Sequence, residues 1–197
     1  MTGFRRRSRT SLSFWLLLAL CAPAAEAARV TVQLDGIDGD LRAAALGAVE
    51  LQQYESREVS LAQVRRLYRR AESQIKQALE PYGYYDASID GELLNEGENF
   101  RAILHVKSGQ PVKVSELSIG IGDEARKLRA VSSAVSAFSP QKGQRLDHAA
   151  YERSKAAIHA SLFSVGYLDA ELATHRVEVE RASNTAKVEL EWKLGPR

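Results

Sequence analysis

Four histidines, His105, His148, His159 and His175, are the first residues of this chain that could do chemistry. His148 and His159 stand 11 residues apart, about three helical turns, so they can share one helix face. Neither sits in an H-E-x-x-H pattern, where two imidazoles one turn apart hold zinc and the glutamate serves as base. There is no glycine-rich phosphate loop and no G-x-S-x-G elbow to expose a nucleophile. The histidines therefore read as solvated or capping side chains. Asp86 and Asp169 are the tempting carboxylates, and each follows a Gly-Tyr pair at the same place in a repeat. A feature present in both copies points to the fold, with each carboxylate expected to accept backbone N–H groups at its turn. The inventory disfavours an enzyme, and no metal or cofactor is expected.

Charge offers a different chemistry. Arg65, Arg66, Arg69 and Arg70 have the 1, 3, 1 spacing of a compact ridge on one helix. They read either as a solvated face paired with Glu72 and Glu80, or as a candidate docking ridge for an acidic partner or anionic head groups.

The elements that position these residues occur twice. Leu79, Gly83, Tyr84, Tyr85, Asp86, Ala87 and Ile89 recur 83 positions later as Leu162, Gly166, Tyr167, Leu168, Asp169, Ala170 and Leu172. Upstream, Tyr68, Ala71, Ile75 and Ala78 recur as Tyr151, Ser154, Ile158 and Ser161, with the 3, 4, 3 spacing of a helix face. Gly83 and Gly166 stand where a helix stop needs positive φ, so Gly83-Tyr84 and Gly166-Tyr167 are expected to be structural turns, the tyrosines being core anchors. Period-two alternation then predicts a strand from Tyr84 to about Leu94 and another from Tyr167 to about Glu180.

Residues 1–27 stand apart. Arg5, Arg6, Arg7 and Arg9, the apolar run Leu12–Ala22 and Ala25-Glu26-Ala27 form a secretory signal peptide, too short to span a membrane. The pattern is loose for twin-arginine export, and Leu20 precedes Cys21 where lipidation needs a small residue. Removing four arginines and Glu26 takes the formal charge from +2 to −1, so the basic pI belongs to the leader and no nucleic-acid footprint remains. Cys21 leaves with it, so the mature chain has no thiol and no disulfide, as suits a bacterial periplasm.

Taken in order, residues 28–108 read as a strand (29–36), a short helix (41–51), a long helix from a Ser60 cap to about Glu80, and two strands joined at Asn95–Asn99. Residues 109–197 repeat this with a strand at 112–121, a helix at 124–138, an Asp147-capped helix to about Ser164, and two strands joined at Ser183–Thr185. Each unit is thus α+β, with order β-α-α-β-β, and two helices must cover one face of a three-stranded sheet.

That order, with its Gly-Tyr turn, resembles the polypeptide-transport-associated (POTRA) domain, and most closely the POTRA region of TamA-like outer-membrane assembly factors of the BamA/TamA superfamily. Val30–Gly36, Leu79–Tyr85, Tyr151-Glu152 and Gly166–Asp169 carry the resemblance. It implies a non-enzymatic periplasmic module that binds unfolded outer-membrane clients and a TamB-like partner anchored in the inner membrane. It also implies that the second strand of each unit is an exposed sheet edge open to strand addition. The candidate edge residues are Tyr85, Ala87, Ile89, Leu168, Ala170 and Leu172. Family members carry a third such unit and a barrel; because Leu194–Arg197 resembles the connector Ser108–Pro111, the reading frame is expected to continue into both. The alternative is a standalone periplasmic adaptor without a barrel.

Overall fold

The structure is a computed structural model that describes residues 29–197; the leader assigned to residues 1–27, with Cys21, lies outside them. In the first unit, strand β1 (Arg29–Asp35) buries Val30 and Leu34. Helix α1 (Gly39–Ala48) runs into a 3-10 turn at Glu50–Tyr54, and helix α2 (Leu61–Leu79) follows. Helix α2 buries Val64, Leu67, Ala71, Ile75 and Leu79, a stripe at the 3.6-residue period. Strands β2 (Ser88–Glu96) and β3 (Asn99–Lys107) form the hairpin.

The sheet order is β1-β3-β2, with β1 parallel and β2 antiparallel to the central β3. Strand β3 buries Phe100, Ala102, Leu104 and Val106 on the helix-covered face, while Arg101, His105 and Lys107 point to solvent. Alternation persists in the central strand because helices cover only one face.

The second unit repeats the plan. Strand β4 (Lys113–Gly120), helices α3 (Asp123–Arg126), α4 (Arg129–Ser136) and α5 (His148–Ser164), and strands β5 (Glu171–Glu180) and β6 (Thr185–Lys193) give the sheet order β4-β6-β5. Each unit has its own core, and Tyr85 of the first packs against the core of the second.

Three local expectations are corrected. The helix expected at 124–138 is broken at Leu128, whose backbone is extended (ψ 129°) and starts α4 anew. Strands β2 and β5 begin at Ser88 and Glu171, after the Gly-Tyr turns rather than within them, so Tyr85, Ala87, Leu168 and Ala170 precede their strands. The 83-residue offset also ends inside β5: a bulge between Leu172 and Thr174 leaves Ala173 without a cross-strand partner.

The helix starts follow the expected caps. Asp147 accepts from the Ala150 N–H at 2.8 Å, whereas Ser60 accepts from the Gln63 N–H at a longer 3.4 Å. Asp147→Ala should therefore lower stability by about 1 kcal/mol and Ser60→Ala by less, as read by urea denaturation.

Candidate polypeptide-binding edges

A three-stranded sheet has two edges, and here their backbone groups are treated differently. On β1, the Val32 N–H donates to Glu55 Oε1 at 2.9 Å, and Gln52 Nε2 holds the other carboxylate oxygen at 2.7 Å. On the β4 side, the Val114 N–H donates to the Gln144 carbonyl (2.9 Å), Gly143 donates back to Val114 (2.7 Å), and Leu146 donates to Val112 (2.8 Å). Arg126 donates to the Ile119 carbonyl further along. Each of these edges thus has backbone groups bonded to chain outside the sheet, one N–H on β1 and several groups on the β4 side. Among the described residues, no backbone hydrogen bond leaves the sheet along Ser88–Glu96 of β2 or Glu171–Val179 of β5. Exposed charges guard these strands: Asp90, Glu92 and Glu96 on β2, and Glu171, Arg176 and Glu178 on β5.

A cleft lies beside each open strand. In the first unit it measures about 340 Å³ and runs between Tyr68, Arg69 and Glu72 of α2 and Ile89 and Gly91 of β2. In the second it measures about 290 Å³, between Glu152, Lys155, Ala156 and His159 of α5, Leu172 of β5, and Trp192 of β6. The expected edge residues separate accordingly. Ile89 and Leu172 lie on the strands, opposite Val106 and Trp192. Ala87 and Ala170 are buried, Leu168 is exposed ahead of β5, and Tyr85 is drawn into the contact between the units.

That contact is built on the first Gly-Tyr turn. Gly83 is left-handed (φ +84°), and the Tyr84 N–H reaches back to the Leu79 carbonyl at 3.2 Å. Gly166 (φ +99°) and the Tyr167 N–H to Leu162 bond (3.1 Å) reproduce this closure. Tyr167 is buried, whereas Tyr84 is half-buried, with the Arg145 guanidinium 5.7 Å from its ring centre. The first turn also holds the second unit: the Val112 N–H donates to the Gly83 carbonyl at 2.8 Å. Tyr85 Oη shares a 2.7 Å hydrogen bond with His148 Nε2, Arg181 lies over the Tyr85 ring, and Arg181 faces Glu80 at 3.7 Å.

His159 Nε2 is 3.2 Å from the Ala170 carbonyl, and His105 faces Asp35 at 3.7 Å. Among the described residues, no group of three or more His, Cys, Asp or Glu side chains could hold a metal. Contrary to expectation, no backbone N–H among the described residues donates to the Asp86 or Asp169 carboxylate; the Asp86 backbone lies close to Gly109 and the Asp169 side chain close to Gly195, both in the connectors. In the basic ridge, Arg70 pairs with Glu50 at 3.0 Å, while Arg65, Arg66 and Arg69 are exposed without an ion pair among the described residues.

Residues 31–108 match the family model described as POTRA domain, TamA domain 1. The first unit is a POTRA domain. The second unit repeats its strand order, helix placement and glycine turn. It is similar to POTRA domains 3–5 of BamA from Haemophilus influenzae, with 17% identity, 87% of this chain and 67% of that one covered, and a TM-score of 0.44. It is also similar to POTRA domains 1–2 of Omp85 from Anabaena, with 14% identity, 86% and 96% covered, and a TM-score of 0.40.

Two tests address the turn and the contact. A Cβ on Gly83 would strike the Leu146 carbonyl oxygen, whereas one on Gly166 would meet only the flexible Arg197 side chain at 3.3 Å. Gly166→Ala should cost about 1–2 kcal/mol for its left-handed backbone, and Gly83→Ala more, in thermal or urea unfolding. Burial raises the Tyr85 phenol above its ordinary 10.0, with Glu80 adding and Arg181 opposing. A raised pKa means that the neutral phenol's contribution is intact below pH 10 and fades as pH rises through the folded value. Tyr85→Phe should cost about 1 kcal/mol at neutral pH, and its gap to wild type should narrow above pH 10.

Proposed function

We propose that this chain is the periplasmic module of a TamA-like outer-membrane assembly factor, and that it receives extended polypeptide segments by strand addition at β2 and β5. The observation that carries the reading is the contrast between capped β1 and β4 edges and open β2 and β5 edges. An extended segment laid along an open edge satisfies its own backbone and that of the sheet together. Main-chain pairing is tolerant of sequence, which suits a range of unfolded outer-membrane clients. The module would bind and present segments, without catalysis or cofactor. The match of the first unit to TamA domain 1 supports a tether through an outer-membrane barrel and a TamB-like partner anchored in the inner membrane.

The exposed Arg65, Arg66 and Arg69 support a second contact, a ridge that steers an acidic partner surface and weakens as salt rises.

Calorimetric titration of a nine-residue peptide of alternating Val and Thr tests strand addition. Methylating alternate backbone amides keeps every side chain and removes the pairing donors. The methylated peptide should bind at least about tenfold more weakly, since each lost hydrogen bond counts about 1 kcal/mol. Equal binding by both peptides would refute strand addition.

A further inference from the structure

The two open edges are not equivalent. In the first unit, a Cβ on Gly91 would lie 2.9 Å from the Tyr68 hydroxyl, so that polar group fills the cleft beside β2, with the exposed Arg69 at its wall. In the second unit the matching positions carry other chemistry. Glu152 and Lys155 neutralise each other at 2.8 Å, and the cleft between them and β5 is walled by Ala156, His159, Leu172 and Trp192. Trp192 is 4% exposed, and its indole N–H has no hydrogen-bond partner among the described residues. Apolar surface continues from the cleft along α5, because the Phe163 ring stacks 5.8 Å from His159 and is 48% exposed. Leu168, 60% exposed, lies just ahead of β5. Phe163 and Leu168 are the most exposed large apolar side chains among the described residues, and both belong to this unit. A locally neutral apolar track beside an unpaired strand edge complements one kind of occupant.

We propose that the β5 edge selects an extended segment bearing a bulky apolar side chain, which seats in the Leu172–Trp192–His159 cleft while the segment's backbone pairs with β5. The β2 edge, with its polar cleft, lacks this selectivity. The inference rests on strand addition as proposed above and adds the side-chain class that the second unit reads. Alternate side chains of an added strand fall on one face, so one apolar residue in a polar, alternating segment suffices to fill the cleft.

The test uses the full chain carrying Trp15→Phe, which leaves Trp192 as the sole indole. Its fluorescence is followed on titration with a nine-residue Thr/Ser peptide bearing one central Phe, with the Lys-for-Phe peptide, and with a backbone-methylated Phe peptide. The Phe peptide should shift Trp192 emission saturably and bind at least about tenfold tighter than the Lys peptide. Ala156→Glu, a change at an exposed helix position that brings charge to the cleft, should erase that preference while the circular-dichroism spectrum stays unchanged. If Phe and Lys peptides bind alike, and both lose binding on methylation, strand addition stands and the selectivity is overturned. If methylation leaves the Phe peptide's affinity unchanged, the edge reading itself fails and this inference with it. A preference that survives Ala156→Glu places the apolar contact elsewhere and also overturns the proposal.

Discussion

Each sheet of this chain has one interior strand, so two of every three strands must find partners for half of their backbone groups outside the sheet. Buried N–H and C=O groups left unpaired cost as much as lost hydrogen bonds, and exposed ones invite pairing with other chains. The first unit resolves one edge with a side chain, Glu55 reaching the Val32 N–H. The second resolves the same edge with backbone, the 143–146 segment lying along Val112 and Val114. In both units it is the first strand that is closed and the middle strand of the sequence that is left open. Two unrelated devices with the same result make the open edge a feature of the architecture rather than of one segment.

The glycine turn links this edge to the chain's organisation. It ends the long helix, leads into the open strand and, in the first unit, offers its carbonyl to Val112. Tyr85, two residues on, meets His148 and Arg181, and Arg181 faces Glu80. Because Tyr85 serves this contact, it does not serve the edge, and the open strand begins three residues later at Ser88. The contact between units and the open edge are therefore neighbours, separated by Asp86 and Ala87.

Much of this was legible in the sequence because it is local. Helix stripes, N-caps at Ser60 and Asp147, and glycines at positive φ depend on residues within one or two turns, and the repeat displayed them twice. The open second strand was expected only from the family resemblance; the capping of the first strand was not legible, since Glu55 reaches Val32 across 23 residues, nor was the contact of Tyr85 with His148 across 63. The bulge at Ala173 was hidden because period-two patterning survives on either side of an inserted residue. The clefts combine positions from a helix and two strands, and no short motif marks them.

Amide hydrogen exchange of the free protein, resolved residue by residue, tests the central claim most directly. Capping predicts protection at Val32, Val114 and Leu146, whose N–H groups are bonded at the closed edges. It predicts alternating behaviour along Ser88–Glu96 and Glu171–Val179, with amides paired to β3 or β6 slow and the intervening amides fast. Uniform protection along either β2 or β5, or fast exchange at Val32 and Val114, would contradict the account.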